Sequence, residues 1–313
     1  MIVAITGGTG FIGRKLVSYH LEQGHTVRVL SRRSASEAGL PDSVSLHSGD
    51  LSTPGILPPF VDGADVLYHC AGEIRDQARM RQVHVEGTGN LIAAATGRIG
   101  RWVQLSSVGA YGQRRTGRVT EQTKLQPCGI YETSKVESDA MVAAAASSGA
   151  FGRVILRPSN VYGAGMTNQS LFSLIRMIQC GYFFFIGPPG ASANYIHVDN
   201  VVAALALCAT HPGANGLYNL SDYRPMEQFI ATIADALGKP VPRIRLPEPV
   251  VRLAAKVFGI IPIFPLTEGR INALTGRSVY SIDKIESEIG YRHSVSMEAG
   301  LKEMVGFRQR RGS

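Results

Sequence analysis

Short apolar runs recur through the first half of the chain, each followed by a polar or helical stretch. Apolar runs separated in this way predict strands of a parallel sheet with helices on both faces. We therefore predict an α/β fold, namely a Rossmann-type, doubly wound parallel sheet. The predicted strands are residues 2–5, 26–30, 44–48, 66–69, 102–105 and 153–156, and helices are predicted over 78–95 and from about Tyr131 onward.

The regular alternation stops near residue 163. Apolar spacing then predicts helices over 171–180, 199–210, 226–237 and 297–307, with a strand-like segment at 182–186. These pieces do not extend the sheet, so we predict a smaller C-terminal α+β substrate domain above the carboxyl ends of the strands. The predicted Rossmann domain spans 1–163, with 190–222 returning to it, and the substrate domain spans 164–189 and 223–313.

The first predicted strand leads into the glycine-rich segment Thr6-Gly-Gly-Thr-Gly-Phe-Ile-Gly13. Its glycines suit three tasks: a turn with positive φ, close approach of a pyrophosphate to the backbone, and close packing of a helix on a strand. The first N–H groups of that helix would hold the phosphates. The alternative is a turn that needs small residues for packing alone. The position after a strand favours a dinucleotide site formed by Gly7, Thr9, Gly10, Phe11, Ile12 and Gly13.

The end of the second strand indicates which dinucleotide binds. A carboxylate at this point would bind the ribose 2′-hydroxyl of NAD, but the chain has Ser31, Arg32 and Arg33. Two guanidiniums accommodate a 2′-phosphate, so we predict NADP as the cofactor. If the two arginines are only a solvated basic turn, NAD remains the alternative.

Composition excludes several classes of protein. The 313 residues, with 44% hydrophobic and 18% charged residues, are typical of a soluble globular protein. The net charge of +8 is scattered, so we expect no nucleic-acid partner. Four distant cysteines predict neither disulfides nor a metal site. A strand starting at Ile2 leaves no room for a signal peptide, so a cytoplasmic location is expected.

The apolar tract 246–266 is interrupted by prolines and by charged residues. It does not qualify as a membrane-spanning helix, although a surface that touches lipid or a partner stays open.

Tyr131 and Lys135 are four residues apart, which places a phenol and an ammonium on one face of a helix. A nearby ammonium favours the phenolate, so the spacing predicts a lowered pKa for Tyr131 and a role as general acid. The alternative is an ordinary surface pair. The hydroxyls of Ser106 and Ser107 end the fifth strand, beside the expected nicotinamide site, and favour the catalytic interpretation.

With these motifs together, the chain resembles the extended branch of the short-chain dehydrogenase/reductase superfamily, the NAD-dependent epimerase/dehydratase group. The resemblance covers nearly the whole length. Besides the glycine loop and the Tyr131–Lys135 helix, it is carried by Gly49-Asp-Leu51, His69-Cys-Ala-Gly72, Gly87-Thr-Gly-Asn90, Leu105-Ser-Ser-Val-Gly-Ala-Tyr-Gly112, Arg157-Pro-Ser-Asn-Val-Tyr-Gly163 and Tyr195-Ile-His-Val-Asp199.

The resemblance implies three catalytic residues. Tyr131 would transfer the proton, Lys135 would lower its pKa and hold the nicotinamide ribose, and Ser107, rather than Ser106, would bind the substrate oxygen. The implied cofactor contacts are Asp50 and Leu51 at the adenine, Cys70, Ala71 and Gly72 along the ribose and pyrophosphate, and Pro158 and Ser159 at the carboxamide. For Asp50 a helix cap or turn carboxylate is the alternative.

Substrate contacts are predicted at Ser107, Val108, Asn160, Asn168 and Arg277, with loop structure or a solvated arginine as the alternatives. His69, His197 and Asp199 suggest a metal or a triad, but polar residues that hold neighbouring loops explain them better. His84 is a departure, since the family usually has asparagine there.

The residues after Ser107 and the predicted cofactor indicate which reaction to expect. Related 4,6-dehydratases resemble this chain but carry Thr-Asp-Glu where it has Ser107-Val108-Gly109, so dehydration is not expected. An NADP preference favours a reductase that exchanges its cofactor over an epimerase that retains it. We therefore expect an NADP-dependent oxidoreductase that reduces a keto group of a nucleotide sugar, and the resemblance implies a homodimer.

Three alternatives stay open. They are an NAD-dependent nucleotide-sugar 4-epimerase, a reductase of a nonpolar ketone similar to dihydroflavonol reductases or 3β-hydroxysteroid dehydrogenases, and a non-catalytic NADP-binding assembly or sensor protein. The presence of both Tyr131 and Lys135 argues against the last.

Overall fold

The computed structural model describes residues 1–166, 169–258 and 267–312. Its strands are β1 (Ile2–Thr6), β2 (Thr26–Ser31), β3 (Ser45–Ser48), β4 (Ala64–His69), β5 (Ile99–Leu105), β6 (Thr116–Val119), β7 (Gly152–Pro158), β8 (Asn160–Tyr162), β9 (Phe185–Ile186), β10 (Ser192–His197), β11 (Gly216–Leu220), β12 (Asp222–Pro225), β13 (Arg245–Leu246) and β14 (Arg277–Tyr280).

The helices are α1 (Phe11–Glu22), α2 (Ala35–Ala38), α3 (Leu57–Val61), α4 (Gln77–Arg81), α5 (Gly87–Ala95), α6 (Ile130–Ser147), α7 (Ser170–Gln179), α8 (Val198–Thr210), α9 (Met226–Ala236), α10 (Glu248–Phe258), α11 (Glu268–Thr275), α12 (Asp283–Ile289) and α13 (Met297–Gly312). A π-helical segment, Gln82–Glu86, joins α4 to α5, so the long helix predicted over 78–95 is present with a widened turn in its middle.

The central sheet has seven parallel strands in the order β11-β7-β5-β4-β1-β2-β3. The chain order reverses between β1 and β4, and a crevice opens there at the carboxyl ends of the strands. Apolar side chains of α1 and α8 pack on one face of the sheet, and those of α3, α5 and α6 pack on the other. The predicted doubly wound Rossmann-type fold is therefore confirmed.

A further apolar core lies outside the central sheet. It combines side chains of α7, α9 and α13 with residues of β10, and three small sheets accompany it: β12-β10-β8, β13-β9 and β14-β6. The mixture of helices and short strands agrees with the α+β character expected of the C-terminal part. The exact domain bounds stay a prediction.

Two segments differ from the sequence-based expectation. The strand expected over 182–186 is reduced to β9, because only Phe185 and Ile186 pair with β13, while the side chain of Tyr182 is exposed. The strand β11 extends the main sheet beyond β7. It was not predicted, because Gly216 and the polar Asn219 interrupt its apolar pattern.

The apolar tract 246–266 contains the amphipathic helix α10, and residues 259–266 lie outside the described part. Val251 and Ala255 of α10 are buried, while Val250, Leu253 and Val257 are exposed. Among the described residues, no helix is long and apolar enough to cross a membrane.

Candidate functional site

The glycine loop between β1 and α1 is held together by close backbone contacts. Gly7 has a φ of +71°, and a Cβ on Gly13 would lie 2.1 Å from the carbonyl oxygen of Gly7. The N–H of Gly10 donates to that carbonyl at 2.9 Å. Gly10 also begins α1 and has no side chain to cap it, so the first-turn N–H groups remain available to an anion. A dinucleotide phosphate fits this loop.

A cavity of about 320 Å³ opens beside the loop. The predicted cofactor residues that line it are Gly7, Thr9, Gly10, Ser31, Arg32, Arg33, Asp50, Leu51, Cys70, Ala71 and Gly72. Four residues that no sequence motif had marked as cofactor contacts also line it, namely Thr6, Leu30, Glu73 and Val83. Thr6 and Leu30 could have been found as strand ends; Glu73 and Val83 carry no signal of their own.

Three predicted cofactor residues of the same loop do not line the cavity. Phe11 packs against the apolar core formed by α7, α9 and α13. Ile12 packs against the core between the central sheet and the helices α1 and α8. Gly13 instead permits the close approach of α1 to the turn at Gly7.

Arginines surround the carboxylate of Asp50 at the end of the cavity beyond β2. Its Oδ2 lies 3.6 Å from Nε of Arg32 and 3.9 Å from Nη2 of Arg79. Burial alone would raise the pKa of Asp50, but hydrogen bonds from Ser52 and the two guanidiniums together lower it. Arg79 comes from α4, far along the chain, so no local pattern placed it here. Together with Arg33 there are three guanidiniums here, set against the carboxylates of Asp50 and Glu73.

A chain of hydrogen bonds fixes the strand ends behind the cavity. Thr6 Oγ1 accepts from the N–H of Ala71 at 3.2 Å and donates to Nδ1 of His69 at 2.7 Å. His69 Nε2 therefore carries the proton and donates to Thr88 Oγ1 at 3.0 Å. Burial lowers the pKa of His69 to about 3, which keeps it neutral. His69 thus holds β1, β4 and α5 together, in agreement with its predicted structural role.

The two serines at the end of β5 have different surroundings. Ser106 is buried and donates to Asp139 Oδ2 at 2.7 Å, and the same oxygen accepts from Nη2 of Arg157 at 2.9 Å. Ser107 Oγ accepts from the N–H of Gly109 at 3.1 Å, and no acceptor within the described chain takes its hydroxyl proton. Only Ser107 retains a donor for a ligand.

Ser107 lies beside the first turn of α6. A Cβ placed on Gly109 would be 3.3 Å from Ser107 Oγ and 3.1 Å from Glu132 Cγ, so both side chains approach the same point. One turn further along α6, Lys135 Nζ donates to the carbonyl oxygen of Leu105 at 2.6 Å. The structure therefore places Ser107 and Lys135 at one strand end, while Tyr131 lies one turn before Lys135 on α6 with its ring against His84.

The pKa of Tyr131 differs from the prediction. Burial raises it to about 12, and the carboxylates of Glu132 and Asp139 act in the same direction. The four-residue spacing predicted a lowered pKa, which is wrong for this structure. The four-residue spacing does place Lys135 on the same helix face as Tyr131. However, its ammonium is directed to the carbonyl of Leu105, and burial lowers the pKa of Lys135 itself. Tyr131 is consequently a neutral phenol at neutral pH.

At the opposite side of the crevice, β7 ends at Pro158 and is followed by Ser159. The N–H of Ser159 donates to the carbonyl of Leu220 at 2.8 Å, whereas its buried Oγ has no hydrogen-bond partner among the described residues. A buried hydroxyl left unpaired in the protein suits an amide group of a ligand. The carboxamide contact itself stays a prediction.

The predicted substrate residues are only partly brought together. Val108 is buried next to Ser107, and the exposed Asn160 donates to the carbonyl of Asn194 at 3.2 Å. Arg277 Nη2 donates to the carbonyls of Pro188 and Pro189, at 2.8 Å in each case. Asn168 lies outside the described residues.

The cysteines supply no nucleophile to the site, although Cys70 lines the cavity. Cys70, Cys128, Cys180 and Cys208 are free thiols, and burial raises the pKa of Cys70 to about 12, so it is no nucleophile. In residues 1–166, 169–258 and 267–312, no group of side chains could hold a metal ion.

Two glycines with the same φ allow the loop to be tested. Gly7 and Gly24 both have a φ of +71°, but a Cβ on Gly7 would lie 2.7 Å from the carbonyl oxygen of Cys70, whereas nothing lies within 4 Å of one on Gly24. We expect Gly24→Ala to lower the free energy of unfolding in urea by about 1–2 kcal/mol, the cost of the left-handed conformation. Gly7→Ala should lower the free energy of unfolding further and weaken dinucleotide binding. Equal losses of stability in the two variants would contradict the close contact between Gly7 and Cys70.

Comparison with known proteins agrees with this geometry. A model of the NAD dependent epimerase/dehydratase family matches residues 3–221. The UDP-glucose 4-epimerase of Vibrio cholerae is 26% identical over 96% of this chain and 93% of its own length. The ceramide reductase of Caulobacter vibrioides is 30% identical over 81% of this chain and 76% of its own length.

A solved structure shares the fold over the full length. The UDP-glucose 4-epimerase of Thermotoga maritima, determined with UDP-glucose, superposes with a TM-score of 0.77 at 20% identity and covers 100% of both chains. The chain therefore belongs to the NAD-dependent epimerase/dehydratase family and is an NAD(P)-dependent oxidoreductase of the extended short-chain dehydrogenase/reductase type.

Proposed function

We propose that the protein is an NADP-dependent reductase of a keto group carried by a nucleotide sugar. The observation that carries this proposal is the available hydroxyl of Ser107 at the end of β5, where the first turn of α6, with the half-buried Tyr131, approaches it. A protonated phenol at this point can donate a proton to a developing alkoxide, which is what ketone reduction requires.

The cations around the adenine end of the cavity support NADP over NAD. Arg32 and Arg33 follow β2, where NAD-specific sites use a carboxylate, and Arg79 extends the cluster from α4. Asp50 neutralises one positive charge, so the corner keeps a net positive charge suited to a 2′-phosphate. The backbone of the glycine loop would hold the pyrophosphate, and Ser159 would meet the carboxamide.

The chain's own residues would control the proton. When bound, the reduced nicotinamide supplies a hydride to the carbonyl carbon. Ser107 would orient the carbonyl oxygen through its free hydroxyl, and Tyr131 would donate the proton to that oxygen. Lys135 would hold the nicotinamide ribose; in this structure its ammonium donates to the carbonyl oxygen of Leu105 and does not lower the pKa of Tyr131.

Nucleotide-sugar recognition has specific support at β14. Arg277 uses Nη2 to hold the loop at residues 188–189, and its other guanidinium nitrogens have no partner among the described residues. These nitrogens can meet a phosphate oxygen. The similarity to a UDP-glucose 4-epimerase agrees with this class of substrate.

A nonpolar ketone is the second candidate. The segment before the Tyr195-Ile-His-Val-Asp199 motif reads Ala193-Asn194, and Asn194 donates to the carbonyl of Ser278 at 2.9 Å, so this segment offers no cation to a diphosphate. The similarity to a ceramide reductase favours the same alternative.

We also propose that the chain divides into a Rossmann domain and a substrate domain with the bounds given above. We further propose a homodimer that forms through the helices over 78–95 and 131–148. Light scattering should give about twice the chain mass of 33.6 kDa. A monomeric mass would rule the dimer out.

The cofactor proposal predicts that wild-type protein binds NADPH more tightly than NADH. Arg32→Asp should weaken NADPH binding about tenfold to a hundredfold, because it removes one charge-assisted hydrogen bond and adds a like charge. Affinities can be measured by fluorescence titration of the reduced cofactors. Arg98→Asp is the control, since Arg98 pairs with Asp62 and does not line the cavity. A wild type that prefers NADH would contradict the proposal.

The catalytic proposal predicts loss of NADPH absorbance when the protein is supplied with UDP- or dTDP-linked ketosugars. Tyr131→Phe should lower kcat by at least about a hundredfold, because it removes the proton donor. Tyr182→Phe, at an exposed ring, is the matched control and should keep full activity. Turnover of nonpolar ketones but not of ketosugars would select the second candidate, and full activity of Tyr131→Phe would exclude the mechanism for both.

A further inference from the structure

His84 connects the wall of the cofactor cavity to the helix that carries Tyr131. Its ring is buried, with Nε2 2.8 Å from the backbone nitrogen of Glu73 and Nδ1 2.8 Å from Ser134 Oγ. We propose that His84 is a positioning residue, which holds Tyr131 in register with the cofactor cavity through these two hydrogen bonds. The proposal rests on the proposed function, in which Tyr131 donates the proton.

The direction of each hydrogen bond follows from the fixed donor at Glu73. A backbone N–H can only donate, so His84 Nε2 must be the acceptor, and the neutral ring carries its proton on Nδ1. Nδ1–H then donates to Ser134 Oγ, and the Ser134 hydroxyl donates to the carbonyl oxygen of Tyr131 at 2.9 Å. The chain runs in one direction from the cavity wall to the backbone of Tyr131.

The ring of His84 also contacts the phenol directly. The two rings meet edge to face, with centroids 5.5 Å apart and planes at 80°. On its other side, His84 Nε2 would lie 3.4 Å from a Cβ on Gly72, a residue that lines the cofactor cavity. His84 therefore contacts the ring of Tyr131 directly and its backbone through Ser134, while it lies against the cavity wall.

This arrangement requires a neutral His84 ring, and burial together with a nearby charge keeps it neutral. Burial lowers its pKa to about 4, and the ammonium of Lys135 acts in the same direction, while the carboxylate of Glu73 opposes both. A protonated ring would bring a second donor against the N–H of Glu73 and break that link. The ring lies in the π-helical segment between α4 and α5, a local geometry that is frequent at functional sites.

Two substitutions separate the two links. The amide of asparagine reaches the position of the imidazole Nδ1, and that of glutamine reaches the position of Nε2. His84→Gln should keep an acceptor for Glu73 but lose Ser134, so kcat falls by about tenfold or more while the KM for cofactor changes little. His84→Asn should keep Ser134 but lose Glu73, so the cofactor binds more weakly and kcat is largely retained.

Ser134→Ala provides an independent route to the same result. It should lower kcat as His84→Gln does, and combining the two should cause no further loss, because both break the same link. His47→Asn, at a histidine outside the site, is the matched control and should behave as wild type. Cofactor affinity is measured by fluorescence titration of NADPH, which needs no turnover, so the link to Glu73 is tested independently of the substrate.

The outcomes separate this proposal from the function on which it rests. If Tyr131→Phe abolishes turnover but His84→Gln and Ser134→Ala retain wild-type kcat, the positioning role is wrong and the proposed function stands. Equal losses of kcat and cofactor affinity in His84→Gln and His84→Asn would also overturn it, since a merely structural role cannot distinguish the two nitrogens. An active Tyr131→Phe variant overturns both.

Discussion

The buried ammonium of Lys135 constrains the whole site. A cation without water needs close partners, and Lys135 finds the carbonyl oxygen of Leu105 at 2.6 Å, with the carboxylate of Asp139 nearby. Because that carbonyl ends β5 and the lysine lies in α6, satisfying the charge fixes the helix against the strand end. Ser107 follows Leu105 by two residues and Tyr131 precedes Lys135 by one turn, so both flank this contact along the chain.

Asp139 links this arrangement to the next strand. One of its oxygens accepts hydrogen bonds from Ser106 and from Arg157 of β7, and all three side chains are buried. A buried carboxylate and guanidinium are stable only as a hydrogen-bonded pair, so this contact ties α6 to both β5 and β7. It also distinguishes the two serines: Ser106 donates its hydroxyl proton to Asp139, whereas the hydroxyl of Ser107 stays available to a ligand.

The sequence predicted what depends on backbone geometry and local spacing. The tasks of Gly7 and Gly13 follow from the missing Cβ alone, so the loop could be located without a structure. The four-residue spacing likewise placed Tyr131 and Lys135 on one helix face. Burial is not contained in spacing, and for this reason the predicted direction of the Tyr131 pKa was wrong.

Contacts between distant segments were the part that sequence could not supply. Arg79 reaches Asp50 from α4, and His84 meets Ser134 across a separation of fifty residues. His84 was visible only as an unexpected residue in a family motif, with no indication of its partners. Similarly, α10 was obscured by the prolines and charges of its tract, although its buried Val251 and Ala255 follow helical spacing.

The raised pKa of Tyr131 does not oppose ketone reduction. In that direction the phenol gives its proton to an alkoxide, a much stronger base, so a donor with a pKa of about 12 still transfers it favourably. Oxidation of an alcohol needs the phenolate instead, and burial together with Glu132 and Asp139 makes that form costly. The ammonium of Lys135 does not offset this cost in this structure, because its hydrogen bond to Leu105 directs its charge toward the strand end. The pKa of Tyr131 is therefore compatible with the proposed ketone reduction, in which the phenol acts as the proton donor.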